Sequence, residues 1–478
     1  MNRPPNRLVT ALALLLLAAA VPAQLFHNEE LLHHPTADGV TITLLPAQPV
    51  VLSVAYGETE ALGQRTQPRR HEAGRRATVR LEGLAPDTEY FYRVDVRGQL
   101  PRPVHSFRTL RNPGSTFSFA VAGDSHAWAV WSKGECGNSP PNLDLLERTL
   151  FNLRLDDSLD FVVLGSDFGM TKCGSCSPCS VSGLPVSGQT IDSALDAELR
   201  YRQVFSNDLW GRVAADLPML TVMGDHEAEQ GWVAPTLFHW SRAGREKHLP
   251  HPGEVYDGGQ DSHHYALESG DLLLVVLDIH RNTFERPTSP EHYTLGPAQM
   301  AWFERTLRSS DARFKVVLAE HLLGGMHQGA AETIWKGRGG IRATHNGQPN
   351  GVFLGEQALI HALMKEHGAQ VFLSFQDHVV AHGEKLDADF VPEGVHYVIG
   401  GRSSGVSPPA ANLDWYRETM DYDGDGVPEY ETDVTGTRKV GYFRITVHGR
   451  ERLQFEYVET GLGFLSNNGE TLLEFDIR

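Results

Sequence analysis

Cysteine is scarce in this chain, acidic residues outnumber basic ones, and no apolar run beyond residue 23 is long enough to cross a membrane. The 478 residues include 4 Cys, 42 Lys and Arg, and 60 Asp and Glu, which gives a formal net charge of −18. This charge argues against a nucleic-acid scaffold and against binding to anionic membranes through bulk charge. The length and the 41% hydrophobic content suffice for a large core and favour two or more domains.

The one long apolar run lies at the start of the chain. Arg3 and Arg7 precede the apolar run from Leu8 to Ala20, and small residues follow this run up to Ala23. This order is typical of a secretory signal peptide that is cleaved near Ala23. A membrane anchor is the alternative, but the run is shorter than the roughly 20 residues of a spanning helix. The sequence therefore predicts residues 1–23 as a signal peptide and a secreted or periplasmic protein.

The four cysteines are Cys136, Cys173, Cys176 and Cys179. In an exported protein disulfides are the default, and four thiols allow three pairings. The alternative is a structural zinc site, because C-x-x-C-x-x-C and one remote Cys supply four thiolates. Both interpretations stay open. In either case the cysteines would fix a loop close to Asp167.

Residues 24–112 are predicted to form a small all-β sandwich, and residues 113–478 a larger α/β domain. In the first part, short apolar runs alternate with turn residues, which is typical of a sandwich. In the second, apolar strand-like runs alternate with amphipathic helical stretches. The predicted helices are Asp144 to Asn152, Ala194 to Phe205, Pro297 to Leu307 and Gln357 to Glu366, and the predicted closing hairpin is Gly441 to Val458.

Four polar segments each follow a predicted buried strand. They are GDSH at Gly123 to His126, GSDF at Gly165 to Phe168, GDHE at Gly224 to Glu227, and the single His321. The strands before them are Phe117 to Ala122, Phe161 to Leu164, Leu220 to Met223 and Lys315 to Ala319. Since the ends of successive strands in an α/β layer converge at one rim, these carboxylates and imidazoles can meet around metal ions.

The order of these motifs, followed by LSFQDH near His378, resembles the D-x-H, GD, GNH[E/D], His and GHxH pattern of the calcineurin-like metallophosphoesterase superfamily. The resemblance covers most of residues 115–458 and implies a four-layer β-sandwich flanked by helices. The stretch LEGLAPDTEYFYRVDV resembles a fibronectin type III repeat. Such a repeat precedes the catalytic domain in purple acid phosphatases and alkaline-phosphatase-D-like enzymes, and there Leu84 and Tyr90 would pack the core.

The resemblance also implies a role for each motif residue at a centre of two metal ions. The first ion would be held by Asp124, His126 and His378, the second by Asp225, His321 and, more weakly, Gln376, with Asp167 bridging both. The implied catalytic residues are His226, which would act at the leaving-group oxygen, and Asp225. Glu227 would orient the loop that carries them.

Three departures from the family pattern bear on the metals. Asp225 stands in place of Asn, while Phe375 and Gln376 stand in place of Gly and a His ligand. These changes make the second site harder and favour Ca²⁺, Mg²⁺ or Mn²⁺ over Zn²⁺, whereas the first site could take iron, zinc or manganese. Met170 replaces the tyrosine that binds ferric iron in purple acid phosphatases, so we expect no purple colour.

A further motif, D-x-D-G-D-G, contains Asp421, Asp423 and Asp425. Three alternating carboxylates on a tight turn suit a structural calcium ion. A solvated acidic turn is the alternative.

Together these observations predict a secreted metal-dependent phosphoesterase that acts on small phosphorylated substrates, phosphomonoesters first and phosphodiesters second. The alternative is a non-catalytic surface binding module whose second metal site has decayed at Phe375 and Gln376. Metal stoichiometry separates these two hypotheses.

Overall fold

The computed structural model describes residues 24–125, 143–165, 193–206, 208–224, 227, 235–259, 262–281, 295–320, 344–345, 348–349, 356–375, 378–386, 392–404, 430–431, 439–461 and 468–478. All structural statements below concern these residues. No helix within these ranges is long and apolar enough to cross a membrane.

The first part of the chain is entirely β-structure. Its strands are β1 (Leu31–Thr36), β2 (Gly39–Leu44), β3 (Val50–Gly57), β4 (Gln64–Arg65), β5 (Arg69–His71), β6 (Ala77–Leu81), β7 (Glu89–Val96) and β8 (His105–Arg108). Strands β3, β4, β5, β7 and β8 form one sheet, whereas β1, β2 and β6 belong to another. Leu84 and Tyr90 are buried in the core between them, as the sequence predicts.

The sheet that contains β1, β2 and β6 continues into the second part of the chain. Strand β1 runs parallel to β11 (Met219–Thr221), with His33 opposite Met219. The Tyr92 hydroxyl donates to the carbonyl of Ala215 at 2.7 Å, and the Tyr256 hydroxyl donates to the carbonyl of Pro35 at 2.8 Å. The N-terminal strands are therefore built into the same layer as the strands that lead to the metal motifs.

The second part alternates strands and helices before it closes with a meander. Its other strands are β9 (Thr116–Ala122), β10 (Leu159–Leu164), β12 (Tyr265–Ser269), β13 (Leu272–Val276), β14 (Phe314–Leu318), β15 (Thr344–His345), β16 (Gln348–Pro349), β17 (Val371–Ser374), β18 (Val380–Leu386), β19 (Pro392–Gly400), β20 (Tyr430–Glu431), β21 (Gly441–His448), β22 (Arg452–Glu459) and β23 (Thr471–Ile477). Its helices are α1 (Leu143–Leu155), α2 (Ala194–Phe205), α3 (Asp208–Ala214), α4 (Pro235–His248), α5 (Gly296–Ser309) and α6 (Glu356–Glu366).

Two sheets face each other across the main core. Over the described ranges, one sheet has the order β23-β22-β21-β9-β10-β11-β1-β2-β6 and the other β12-β13-β14-β17-β19-β18-β20. Alternate residues of both sheets, such as Phe119, Val163, Leu274 and Val316, share one buried cluster. The opposite faces carry helices: α1, α2 and α3 cover the first sheet, and α5 and α6 cover the second. The result is the four-layer α/β fold that the sequence predicts.

The parallel strands of the two sheets end at a common edge. Strands β9, β10 and β11 are parallel in the first sheet, and β13, β14, β17 and β19 are parallel in the second. Just past β9 and β19, Asp124 and Arg402 form a parallel bridge that joins the two sheets. The carboxyl ends of strands from both sheets therefore meet at the rim where the sequence places its polar motifs.

Candidate metal centre

Asp124 lies directly after β9 and its side chain is fully buried. Its backbone carbonyl accepts a hydrogen bond from the Ser403 amide at 3.2 Å, and the Ser403 hydroxyl donates to the Gly123 carbonyl at 2.8 Å. A side chain at position 123 would collide with the Gly401 carbonyl. The glycine of the GDSH motif is therefore required by the close approach of the two sheets, and this approach holds Asp124 in place.

His378 reaches Asp124 from the opposite sheet. It follows β17, and its φ of 55° places it in the left-handed region, which is uncommon for a residue other than glycine. Its amide donates to the Phe375 carbonyl at 2.9 Å, which closes a tight turn. His378 Nε2 then lies 3.2 Å from Asp124 Oδ2. The strained turn thus brings together two residues that the sequence predicts as ligands of one metal ion.

The loops that carry the other motif residues begin at the same rim. The Gly165 amide donates to the Ala122 carbonyl at 2.6 Å, so the chain before Asp167 leaves β10 against the end of β9. Glu227 is buried, and its Oε2 accepts a hydrogen bond from the Gly224 amide at 3.1 Å. This bond joins the two described residues on either side of sequence positions 225 and 226.

Most of the predicted site residues lie outside the described ranges. These are His126, Asp167, Asp225, His226, His321, Gln376, the calcium candidates Asp421, Asp423 and Asp425, the four cysteines, and Met170. Their roles stay predictions.

Two residues that the sequence analysis did not select lie at the same rim. Glu320 follows β14 and immediately precedes His321, and His280 follows β13. Both side chains are fully buried, and His280 Nε2 lies 3.3 Å from Glu320 Oε2. Glu320 lies two residues and His280 four residues beyond the end of an apolar strand, and this position was the signal that could have identified them. We call Asp124, His280, Glu320 and His378 the strand-end residues.

The Asp278 carboxylate holds the backbone at His280 in place. Its carboxylate accepts hydrogen bonds from the Ser262 hydroxyl at 3.0 Å, from the His263 amide at 2.8 Å and from the His280 amide at 3.0 Å. Burial by itself raises the pKa of Asp278, but these hydrogen bonds and nearby His280 outweigh it and leave the pKa below its ordinary value. Asp278 therefore stays a carboxylate and fixes the backbone that carries His280.

The solved structures PhoD and purple acid phosphatase PPD1 from yellow lupin (Lupinus luteus) seeds share this architecture. PhoD matches with a TM-score of 0.68 at 17% identity, over 94% of this chain and 90% of PhoD. PPD1 matches with a TM-score of 0.61 at 14% identity, over 94% of this chain and 74% of PPD1. The chain has the calcineurin-like metallophosphoesterase fold. No family model matches its sequence, and neither does any curated protein.

Within the metallophosphoesterase fold, the contact between Asp124 and His378 has the dimensions of half a metal site. Bonds of about 2.0–2.2 Å to a metal place neighbouring donor atoms about 3–3.5 Å apart. The 3.2 Å between His378 Nε2 and Asp124 Oδ2 falls in this range. The donor set of a carboxylate and an imidazole suits iron, zinc or manganese. These two residues therefore have the spacing and the donor types of two ligands of one such ion.

A second group of potential ligands lies next to Asp278, since the His263 amide donates to the Asp278 carboxylate at 2.8 Å. Within the described ranges, Glu246, His251 and His263 are the one group of three whose ligand atoms all come within 4.8 Å of one another. However, His251 Nδ1 accepts from the Gly253 amide at 3.0 Å, and His263 Nδ1 faces Arg245 Nη1, which can only donate, at 3.2 Å. Each neutral ring therefore carries its proton on Nε2.

This protonation makes the group unsuited to a metal ion. A ligating imidazole needs a lone pair on the nitrogen that faces the metal and usually a proton on the other nitrogen. Here the Nε2–H of His263 faces the carboxylate, with Nε2 3.7 Å from Glu246 Oε1. We call Glu246, His251 and His263 the helix-side group, because Glu246 lies on α4, and we interpret it as structural.

Proposed function

We propose that the protein is a secreted, metal-dependent phosphoesterase that hydrolyses phosphomonoesters, with phosphodiesters as the second substrate class. The observation that carries the proposal is the buried contact between Asp124 and His378, made across two sheets at the carboxyl ends of their strands. Both residues belong to an ordered set of motifs, and the fold is that of known phosphoesterases. In this proposal residues 1–23 are the signal peptide, 24–112 a fibronectin type III-like domain and 113–478 the catalytic domain.

In the proposed centre the ligands are distributed over two metal ions. Asp124, His126 and His378 would hold the first ion, Asp225, His321 and Gln376 would hold the second, and Asp167 would be a ligand of both. When bound, two such ions supply charge neutralisation for the phosphate and a nucleophile at neutral pH.

The remaining residues position the substrate and move a proton. His226 donates a proton to the departing alkoxide oxygen, which is general-acid catalysis. Glu227 would orient His226 or its loop, and its carboxylate accepts a hydrogen bond from the Gly224 amide at 3.1 Å.

The test uses the mature protein, stripped of metal and then loaded in parallel with manganese, zinc, iron, magnesium or calcium. We expect turnover of a chromogenic phosphomonoester, slower turnover of the corresponding diester, and none before loading. His226→Ala should lower turnover by about 10²- to 10⁴-fold without changing the metal content. His239→Ala, at an exposed position on α4, is the matched control and should behave like the wild type. Protein that binds two ions but hydrolyses neither ester would contradict the proposal and favour a binding module.

A further inference from the structure

We propose that the N-terminal sandwich docks the protein on an anionic lipid bilayer, through an arginine-rich face of one sheet and the exposed hairpin beside it. The sheet is the one formed by β3, β4, β5, β7 and β8. None of the residues involved belongs to a motif of the proposed metal centre, so the inference does not depend on the proposed function. It concerns the surface on which the protein acts.

The two parts of the chain differ strongly in charge. Residues 24–112 contain 11 Arg, no Lys, and 10 Asp and Glu, whereas the whole chain has a net charge of −18. The net negative charge therefore lies in residues 113–478. Within the first part, the stretch 64–80, which contains β4, β5 and β6, has six arginines and one acidic residue. An anionic surface attracts this stretch and repels the second part, so the protein approaches such a surface with the sandwich first.

The alternation of side chains along β3 and β7 identifies the outer face of this sheet. The even-numbered residues 50–54 of β3 and 92–96 of β7 are buried in the core of the sandwich. Since strand side chains alternate, the odd-numbered residues lie on the opposite face. Arg93 and Asp95 of β7 are therefore on the outer face, together with the odd-numbered residues of β3.

Three more arginines join this face through strand pairing. Arg65 of β4 is directly opposite Ala55, and Arg70 of β5 is directly opposite Val51. Directly opposite residues of antiparallel strands share one face of the sheet, so both arginines lie on the outer face. The Arg97 amide donates to the Val51 carbonyl at 2.9 Å, which places Arg97 across Val51 from Arg70. We call Arg65, Arg70, Arg93 and Arg97 the arginine face.

The neighbouring carboxylates leave part of this positive charge uncompensated. Asp95 is shared by two arginines, since its carboxylate lies 2.6 Å from Arg65 Nη1 and 2.7 Å from Arg93 Nε. Arg70 pairs with an exposed glutamate at 2.9 Å. Among the described residues no carboxylate forms an ion pair with Arg97. Two carboxylates therefore face four guanidinium groups, and exposed pairs of this kind are weak enough to be exchanged for phosphate groups.

The geometry of the arginine face suits a surface with many phosphates. A guanidinium group binds a phosphate through two parallel hydrogen bonds, which an ammonium group cannot do. From strand spacing and rise, the four arginine backbones lie at the corners of a rectangle of about 10 by 14 Å. The sheet holds these corners at fixed positions on a face, and not around a pocket. Such an array matches several lipid headgroups side by side better than one small anion.

The connection between β7 and β8 adds an apolar tip beside the arginine face. Leu100 is 87% exposed, the largest exposed fraction of any large apolar residue in the described ranges, and Val104 is 41% exposed. Leu100 lies three residues after Arg97, beyond a turn in which the Gln99 amide donates to the Val96 carbonyl at 3.1 Å. An apolar tip next to basic residues suits the boundary between headgroups and acyl chains. An acidic polysaccharide would leave Leu100 in water, so the hairpin favours a bilayer as the partner.

The test measures binding of the mature protein to sucrose-loaded vesicles by sedimentation, after intact mass has confirmed that residues 1–23 are absent. The vesicles contain phosphatidylglycerol and phosphatidylcholine, or phosphatidylcholine alone. A chelator is present throughout, so that a metal centre cannot capture the phosphodiester headgroup. We expect the wild type to bind the anionic vesicles only, and to be released at high salt because salt screens exposed charges.

Three variants separate local charge, bulk charge and the apolar tip. Arg70→Gln combined with Arg97→Gln removes two charges of the arginine face and should lower the partition coefficient about 10- to 30-fold. The matched control is Arg305→Gln combined with Arg308→Gln, two exposed positions on α5. It changes the net charge by the same amount and should bind like the wild type. Leu100→Ser should lower the partition coefficient by about 3-fold or more, because it removes apolar contact with the bilayer.

Several outcomes would overturn the proposal. These are no binding of the wild type to anionic vesicles, equal binding to both kinds of vesicle, and an equal loss in the two double variants. Wild-type binding of Leu100→Ser to vesicles, combined with equally tight binding of the wild type to dextran sulfate, would indicate an acidic polysaccharide instead. If the double variant of the arginine face does not fold, as judged by thermal unfolding, Arg97→Gln is compared with Arg305→Gln by the same criteria. Hydrolysis of a soluble phosphomonoester should be the same in all variants, so failure of the docking proposal and failure of the proposed function are distinguishable.

Discussion

The strand-end residues and the helix-side group contain the same chemistry in different surroundings. Both bring buried imidazoles near carboxylates, at 3.2 and 3.3 Å in the first and 3.7 Å in the second. In the helix-side group a backbone amide and a guanidinium donate to the Nδ1 atoms, which places the protons on Nε2. The strand-end residues lie where parallel strands of two sheets end. Proximity of ligand types is therefore a weak criterion, and the donor behind each imidazole decides whether it can bind a metal.

The largest effect that this comparison predicts is at Asp124. Asp124→Asn would remove a charged ligand from the proposed first site. We therefore expect turnover and metal affinity each to fall by more than about 10²-fold. Changing a residue that only orients a metal ligand typically costs about 10- to 10²-fold. Steady-state kinetics and elemental analysis measure both. Asp216→Asn is the control, because Asp216 contacts His105 at 3.0 Å, before β11 and away from the rim. If Asp124→Asn kept the metal content of the wild type, the strand-end residues could no longer be distinguished as metal ligands from the helix-side group.

A smaller effect, on stability alone, is expected in the helix-side group. His263→Gln removes the acceptor of Arg245 Nη1 inside the protein, so the free energy of unfolding should fall by about 1–3 kcal/mol. Metal content should stay unchanged. Denaturant titration and elemental analysis measure the two quantities, and His239→Gln on the surface should change neither. Loss of a metal ion from His263→Gln would show that the helix-side group binds metal after all.

The smallest predicted effect is a pH dependence of the free energy of unfolding that is caused by His263 of the helix-side group. The pKa of His263 lies well below its ordinary value, first because the ring is buried and then because Arg245, His251, Arg242 and Arg281 surround it. Glu246 is the acidic group that faces it. Below about pH 6.5 the unfolded chain binds a proton at His263 and the folded chain does not, so the free energy of unfolding falls by up to about 1.4 kcal/mol per pH unit as pH decreases.

Denaturant titrations between about pH 7.5 and 5 test this dependence. His263→Gln should reduce the slope of unfolding free energy against pH by about one proton, and His239→Gln should leave it unchanged. An unchanged slope in His263→Gln would mean that the ring takes up its proton in the folded state, and the assignment of the proton to Nε2 would then be wrong.

Apolar patterning predicts the parts of the fold whose buried faces are apolar. The predicted helix from Ala194 to Phe205 agrees with α2 to the residue, and the predicted closing hairpin is formed by β21 and β22. The strand predicted from Leu220 to Met223 corresponds to β11, which ends two residues earlier, at Thr221. The Val222 amide still donates to the Leu164 carbonyl at 3.1 Å.

Two of the elements that sequence analysis missed bury several polar side chains. Helix α4 buries Ser241, Arg245 and His248, and strand β1 buries His33 and His34. Neither element shows a clean apolar stripe or alternation, so periodicity could not identify it. Hydrogen bonds compensate the burial of some of these groups: His33 Nε2 lies 3.1 Å from the Thr43 hydroxyl, and the Ser241 and Tyr201 hydroxyls are 3.0 Å apart. Arg245, for example, donates to the Thr221 hydroxyl and approaches His263.

The sequence by itself determined the layered α/β class and the selection of Asp124 and His378, because motif residues follow apolar strands in a fixed order. Only the tertiary structure decided that Glu320 and His280 meet, that the N-terminal strands extend a sheet of the second part of the chain, and that the helix-side imidazoles are protonated on Nε2. These facts depend on which strands are neighbours and which donors lie behind each ring. Such contacts join residues far apart in the chain, and no local pattern records them.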